Sequence, residues 1–164
     1  MRRVAGQAIG HPHHSPAMRR IAVLVTLLDM RHLFLYLWTS PNTLVGLMWA
    51  FLARLTGGGW SVHTGVVEAH GGWVKPILQR LPFVKDGALA ITIGHVVLAQ
   101  TEAALSVTRE HERVHVRQYQ RWGPLFVLAY VGAGVWMWVC GKDPYRDNPF
   151  EVEAYGFDSS EQDA

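Results

Sequence analysis

Two histidines four residues apart, with a glutamate directly after the first, are the residues of this sequence best suited to chemistry. They are His111, Glu112 and His115, in the stretch HERVH. On a helix, positions i and i+4 lie on one face about one turn apart. Two imidazoles so placed can bind one tetrahedral zinc ion, and the glutamate beside them can take a proton from water that the ion activates. The sequence therefore predicts a Zn²⁺ site with His111 and His115 as metal ligands and Glu112 as the catalytic general base.

A zinc ion with two histidine ligands needs a third protein ligand, because catalytic zinc sites usually have three. The candidates lie in the stretch NPFEVEAY, residues 148–155. Asn at the N-cap and Pro at the first helical position predict that a helix begins there. Glu151 is the predicted ligand and Glu153 the alternative. The two cannot serve equally, since residues two apart on a helix point to different sides. A Glu near a helix start is also a common capping partner, so a purely structural role for Glu151 stays open.

The HERVH stretch, followed by a helix with the pattern Glu-x-x-Ala, resembles the gluzincin zinc metallopeptidases over about residues 88–158. In that family the third zinc ligand is a Glu on a later helix, often in a Glu-x-x-Ala-Asp pattern. The resemblance implies that Glu151 is the third ligand, with Ala154 as the small residue of the pattern. It also implies a zinc cofactor and a peptide or protein substrate.

One position departs from the gluzincin pattern. The family often has an Asp directly after the Ala, where it orients a ligand histidine, and this chain has Tyr155 there. The orienting group would therefore come from elsewhere, with Asp147 and Asp158 as candidates. Metallopeptidases often have a further side chain that stabilises the oxyanion formed during hydrolysis. Four residues could have that role: His95, Tyr119, Tyr145 and Tyr155.

The segment before the HERVH helix has the composition of a small sheet, with frequent β-branched residues and glycine turns. Strands are predicted at about 61–69, 73–78 and 88–99. The last strand directly precedes the HERVH helix, for which Thr108 is a plausible N-cap. Gluzincins use an edge strand in this place to hold an extended substrate.

Apolar runs predict further helices on both sides of this segment. The runs 21–38 and 43–55 predict two helices joined by a turn at Pro41, and the uncharged run 124–139 predicts a buried or membrane-embedded helix. Charges in the middle of the first run would be costly in lipid. The first two helices could therefore form a hairpin in or on a membrane, or pack into the core. A row of arginines spaced by four predicts a solvated face or one that meets lipid head groups: Arg109, Arg113, Arg117 and Arg121.

Composition sets the class of protein. The 164 residues are 49% hydrophobic and 17% charged, with a net charge of +2, which argues against a nucleic-acid partner. A single cysteine rules out a cysteine zinc site.

The predicted fold class is α+β: a small mixed sheet plus the HExxH helix, with apolar helices that could contact a membrane. Three regions are predicted: a disordered basic tail (1–20), an apolar helical region (21–59) and a zincin-like metal-binding domain (60–164).

The leading hypothesis is a zinc-dependent, metallopeptidase-like hydrolase that is membrane-associated, or cytoplasmic if its apolar helices pack internally. The alternative is a non-catalytic zinc-binding scaffold protein at a membrane, in which the same ligands hold the fold together. A purely structural site prefers four protein ligands and has no need of Glu112, which favours the enzyme. A third hypothesis is a small membrane protein without a metal, in which the HExxH pattern is accidental.

Overall fold

The structure is a computed structural model that describes residues 16–81, 84 and 87–162, with side chains described between residues 30 and 156 of these ranges. The predicted tail lies outside the described residues as far as residue 15, and a helix begins at Pro16. In chain order, the elements are helix α1 (Pro16–Leu55), strands β1 (Gly59–His63) and β2 (Val66–His70), helix α2 (Val74–Leu78), strands β3 (Ala90–Ile93) and β4 (Val96–Ala99), helix α3 (Glu102–Trp122), a short 3₁₀ helix (Gly123–Leu125), and helices α4 (Phe126–Val139) and α5 (Pro149–Gln162). The predicted α+β class is confirmed.

Packing divides the chain inside α1, between Phe34 and Leu35. The sheet, helices α2 to α5 and the part of α1 from Leu35 onward form one unit, and that unit contains the residues with chemistry. The three regions proposed from the sequence stay a prediction.

The four strands form one mixed sheet in the order β1-β2-β4-β3. Strands β2 and β4 are parallel, whereas β1 pairs with β2 and β3 pairs with β4 in antiparallel fashion. All four residues of β4 are buried, which fits a strand covered on both faces. Because the strand order ends with β3, this strand lies at one edge of the described sheet. Its neighbour β4 leads into α3.

Each face of the sheet packs on a different helix layer. Because side chains alternate along a strand, Val96 and Leu98 of β4 join one core cluster with α1 and α2, while Val97 and Ala99 join another with α3. The first cluster contains Ala50, Ala53, Ala69, Val74, Leu78, Val96 and Leu98. The second contains Val66, Ala90, Val97, Ala99, Ala104, Leu105 and Val116. The second cluster fixes α3 against β3 and β4.

The predicted strand at 88–99 is two strands, β3 and β4, joined by a tight turn at Gly94 and His95. Gly94 has a φ of +65°, in the region that favours glycine, and a Cβ there would collide with Thr43 of α1. The sequence did not predict this turn, because a single glycine within a run rich in β-branched residues is a weak signal of a hairpin.

The predicted strand at 73–78 is wrong, because this segment forms the short helix α2. Val74 and Leu78 lie four residues apart and are both buried in the core cluster beneath α1. Burial of one helical face therefore overrides the β preference of Val74 and Ile77.

The predicted turn at Pro41 is also wrong, because α1 is continuous through that residue. A proline inside a helix leaves the carbonyl four residues earlier without its usual N–H donor. Here that carbonyl belongs to Leu37, and the Ser40 hydroxyl donates to it at 2.7 Å. A neighbouring serine thus replaces the missing hydrogen bond, and the helix continues.

Two arginines of the predicted solvated row bind a buried carboxylate. Glu68 of β2 is 2% exposed, and Arg109 donates to its two oxygens at 3.0 and 2.9 Å. Arg113 lies 3.5 Å from the same carboxylate and donates to the carbonyl of His63 at 2.7 Å. The solvated-face interpretation is therefore wrong for Arg109 and Arg113, which tie α3 to the sheet.

We expect Arg109→Met to lower the free energy of unfolding by about 3 kcal/mol, because it leaves the buried Glu68 carboxylate without its bidentate partner. Denaturant unfolding followed by circular dichroism measures this. Arg54→Met, at an exposed position near the end of α1, is the control and should change stability by less than about 0.5 kcal/mol. Equal stability of the two variants would contradict the importance of the Glu68 pair.

One helix within the described residues is long and apolar enough to cross a membrane: α3, the 3₁₀ helix and α4 run continuously from Glu102 to Val139. This finding depends on length and composition alone, and core helices of soluble proteins pass the same test. Within the described chain only Phe126 and Gly134 of α4 are buried, and the choice between a buried and a membrane-embedded helix at 124–139 stays a prediction. Exposed apolar side chains of α4 could therefore contact a membrane: Val127, Leu128, Val131, Val135, Trp136, Trp138 and Val139.

Candidate metal site

Helix α3 starts earlier than predicted. Its N-cap is Thr101, whose hydroxyl accepts a hydrogen bond from the Ala104 N–H at 3.1 Å. The predicted N-cap, Thr108, lies inside the helix, and its hydroxyl donates to the Ala104 carbonyl at 2.9 Å. The early start allows the first turns of α3 to pack on the sheet through Ala104 and Leu105.

The buried face of α3 carries the predicted chemistry. His111, Glu112 and His115 are 8%, 4% and 7% exposed. Further buried residues of α3 include Gln118 and Tyr119. Polar groups are costly to bury unless they have partners, so the surroundings of this face must supply them.

Helix α5 brings the third predicted ligand to the two histidines. The Nε2 atoms of His111 and His115 lie 3.2 Å apart. Glu151, only 2% exposed, places Oε2 at 3.3 Å from His111 Nε2 and Oε1 at 3.4 Å from His115 Nε2. The described chain thus brings His111, His115 and Glu151 together as a buried group that could hold a metal ion.

Two of these distances, from His111 Nε2 to His115 Nε2 and to Glu151 Oε2, suit a tetrahedral ion. With bonds of about 2.0 Å, two ligand atoms of a tetrahedral zinc site lie about 3.3 Å apart. Moreover, no described residue forms a hydrogen bond to Glu151 Oε2, although this oxygen is buried. An unsatisfied buried carboxylate oxygen is costly, and a cation between the three side chains would satisfy it.

The predicted helix start at Asn148 and Pro149 is confirmed. The Asn148 side-chain oxygen accepts from the Phe150 N–H at 3.1 Å, and α5 begins at Pro149. Asn148 also donates to the Tyr130 carbonyl at 3.1 Å, which links α5 to α4. Tyr130 in turn donates its hydroxyl to Glu151 Oε1 at 2.6 Å, and this leaves Oε2 as the oxygen free to bind a cation.

The neighbours of Glu151 also favour its charged form. Burial by itself would raise the pKa of this carboxyl, but the adjacent His111 and His115 rings and the Tyr130 hydroxyl outweigh it and hold the pKa below its ordinary value. Glu151 therefore contacts the histidines as a carboxylate, the form that binds metals.

Glu153, the alternative ligand, points away from the histidines. Its two oxygens accept hydrogen bonds from Gln118 Nε2 at 2.9 Å and from Arg121 Nη1 at 3.2 Å. The helical spacing explains this, since residues two apart point to different sides.

The side chain in contact with His115 Nδ1 is Gln118, which sequence reasoning missed. Gln118 Oε1 lies 2.8 Å from His115 Nδ1. Of the two predicted candidates, Asp147 instead accepts from the Asp143 N–H at 2.8 Å, and the side chain of Asp158 lies outside the described residues. The available signal was the spacing of three between His115 and Gln118, which places the two side chains together on a helix.

Glu112 is held by the edge strand. The hydroxyl of Thr92 on β3 donates to Glu112 Oε2 at 2.6 Å. Burial raises the pKa of Glu112, while the charges of the two histidines and the Thr92 hydrogen bond oppose that rise. A carboxyl whose pKa is shifted toward neutrality is suited to accept and release protons near neutral pH.

A cavity of about 360 Å³ opens beside these residues, and it is lined by His111, Glu112, His115, Glu151 and Thr92 among others. A second cavity of about 430 Å³ also reaches His111 and Glu112. Both cavities touch Ala90 of β3. The edge strand, the catalytic candidate and the possible metal ligands thus share one cleft.

The four oxyanion candidates occupy different places. Tyr119 lines the first cavity, Tyr145 lines both, and Tyr155 lines the second with its ring centroid 4.6 Å from that of His111. The hydroxyls of Tyr145 and Tyr155 lie 3.3 Å apart. His95 is engaged elsewhere, with Nδ1 at 2.8 Å from Thr39 and Nε2 at 3.0 Å from Gln120.

Fold and site together define an α+β protein with a buried His-His-Glu group that could bind a metal ion. This chain matches no model of a known protein family, no curated protein and no solved structure.

Proposed function

We propose that this chain is a zinc-dependent, metallopeptidase-like hydrolase. The observation that carries the proposal is the buried group of His111, His115 and Glu151, in which His111 Nε2 lies 3.2 Å from His115 Nε2 and 3.3 Å from Glu151 Oε2, an oxygen that lacks a hydrogen bond. Two imidazole nitrogens and one carboxylate oxygen are the donor set of a catalytic zinc site that keeps a fourth position open. Calcium and magnesium prefer sites made of oxygen ligands, which argues against them here.

The role proposed for Glu112 is that of general base and acid. Bound zinc would lower the pKa of a water molecule toward neutrality and so provide a nucleophile. Glu112 follows His111 directly, and its carboxylate faces the same cavity, so it can accept the proton of that water and pass it to the departing amine. Burial and the Thr92 hydrogen bond hold the carboxylate in place for both transfers.

Strand β3 is the proposed binding surface for the substrate. It is an edge strand of the described sheet, and Ala90, Ile91 and Thr92 line the cavity beside Glu112. An extended peptide can pair with such an edge through main-chain hydrogen bonds, which would place its carbonyl groups along the cleft. This favours a peptide or protein substrate in an extended form.

We expect Thr92→Val to lower the rate of peptide hydrolysis about tenfold, with zinc content unchanged. Losing a hydrogen bond to a charged group costs about 1.5 kcal/mol, and Glu112 would be less firmly positioned. Steady-state kinetics beside elemental analysis measure both quantities. Unchanged kinetics would contradict the role of Thr92, and loss of zinc would show that the variant damages the site itself.

The test of the proposed function is the metal content and activity of the purified protein. We expect about one zinc per chain by elemental analysis, loss of that zinc in His111→Ala, and chelator-sensitive cleavage of an unfolded polypeptide. Bound zinc without cleavage would instead favour the alternative, a non-catalytic zinc-binding scaffold in which the ion joins α3 to α5. Absence of zinc, even after refolding with zinc present, would overturn both proposals.

A membrane remains the proposed location of this activity. The exposed apolar side chains of α4 follow directly after the helix that carries the histidines, so lipid contact would place the cleft near the bilayer surface. Flotation of the protein with liposomes, compared with a protein of the same size and no apolar helix, tests this.

A further inference from the structure

A single buried amide connects the two helices that carry the possible metal ligands. Gln118 of α3 is fully buried, at 0% exposure. Its Oε1 lies 2.8 Å from His115 Nδ1, and its Nε2 donates to the Phe150 carbonyl at 3.0 Å and to Glu153 Oε2 at 2.9 Å. All hydrogen-bonding atoms at the end of this side chain therefore have partners.

The partners of Gln118 fix which way its amide points. A main-chain carbonyl and a carboxylate can only accept hydrogen bonds, so the group that faces Phe150 and Glu153 must be the NH₂. The oxygen then faces His115, where it can only accept. His115 must therefore carry its hydrogen on Nδ1, and its Nε2 is left with a free lone pair when the ring is neutral.

This assignment bears directly on metal binding. The free lone pair of His115 Nε2 faces His111 Nε2 at 3.2 Å and Glu151 Oε1 at 3.4 Å. A histidine binds a metal through an unprotonated nitrogen, and fixing the other nitrogen as a donor selects the tautomer and holds the ring. Gln118 does so through contacts with α5, the helix that supplies Glu151.

We propose that Gln118 is the positioning residue of the site: it holds His115 in the metal-binding tautomer and ties the position of that ring to α5. The inference rests on the proposed metal site and adds to it a neutral amide in the orienting role. Glu153 completes the arrangement, because its carboxylate accepts from Gln118 on one oxygen and from Arg121 on the other.

A role in packing alone explains the residue type less well. An apolar side chain of similar length, such as methionine, could fill the same space without the cost of burying an amide. The amide instead makes three directed contacts, two of them to α5 and one to a possible metal ligand. Buried polar networks of this kind specify one arrangement when every member has a partner.

The experiment is a comparison of zinc dissociation constants, measured by competition with a chromophoric chelator on the full chain. We expect Gln118→Met to weaken zinc binding roughly 10- to 100-fold, the usual effect of losing the group that orients a ligand. Gln120→Met is the matched control, because Gln120 lies on the same helix and its amide contacts His95, outside the site. The control should stay within about twofold of the wild type.

If Gln118→Met folds poorly, variants that exchange the amide of Gln118 and the carboxylate of Glu153 provide a second test. Gln118→Glu should weaken zinc binding, because two carboxylates then face each other. The double variant Gln118→Glu/Glu153→Gln restores a donor opposite an acceptor at position 153 and should recover part of the affinity, since the Phe150 carbonyl still faces an acceptor. A double variant that binds zinc no more tightly than Gln118→Glu would contradict the inference.

Three further results would overturn the inference. If the wild type binds zinc and Gln118→Met binds it equally tightly, Gln118 does not position His115, while the proposed metal site stands. If both Met variants weaken binding equally, the effect is one of general packing. A wild type that binds no zinc would overturn the proposed metal site, and this inference with it.

Discussion

Replacing Glu112 by Gln should lower peptide hydrolysis about 1,000-fold while the protein keeps its zinc, since a positioned general base contributes between about 100- and 10,000-fold. Glutamine has nearly the same shape but cannot accept the proton of the attacking water. Glu112 does not belong to the group of His111, His115 and Glu151, so its replacement should leave the ion in place. Initial rates on an unfolded polypeptide, normalised to zinc content, measure the effect.

The control for this variant is Glu110→Gln, an exposed position two residues earlier on the same helix. It should leave both activity and zinc content close to those of the wild type. Full activity of Glu112→Gln would contradict the proposed mechanism, and wild-type protein with zinc and no activity would favour the scaffold.

The second large effect concerns the third ligand. Glu151→Gln should weaken zinc binding about 100-fold, because a zinc site of about 12 kcal/mol loses roughly a quarter of its free energy with one of four ligands. The amide can still accept a hydrogen bond from the Tyr130 hydroxyl, so the helix should stay in place. Titration of metal-free protein with zinc against a competing chelator measures the change.

Glu153→Gln is the matched comparison on the same helix. Its amide oxygen can still accept from Gln118, and we expect a change in zinc affinity of about twofold. The opposite pattern, with a large loss in Glu153→Gln and none in Glu151→Gln, would show that α5 presents the other carboxylate to the ion.

The groups that the sequence predicted well are those whose geometry follows from one helix alone. The spacing of His111 and His115 places their rings on one face whatever the surroundings. The start of α5 was equally predictable, because Asn148 and Pro149 are strong local signals. Glu151 was the predicted third ligand from the residues themselves, in agreement with the family resemblance, and the structure brings this carboxylate to the histidines.

The elements that the sequence predicted poorly are those decided by contacts between distant residues. Whether the chain turns at Pro41 depends on a serine hydroxyl that replaces one hydrogen bond. The α2 segment is helical because Val74 and Leu78 share a core with α1, and no local pattern reveals this. Gln118 was missed because its role exists only when Phe150 and Glu153 lie opposite it.

The order of the helices has a consequence for how the molecule would open. His115 and Glu151 lie on α3 and α5, and the whole of α4 lies between them in the chain. An ion joining them would act as a crosslink that closes this loop and reduces the entropy available to an opened chain. Tyr130 on α4 holds Glu151 by one hydrogen bond, so a displacement of α4 would pull on one end of the crosslink. A bilayer that displaces α4 on binding it would therefore change the affinity of the site for its metal ion.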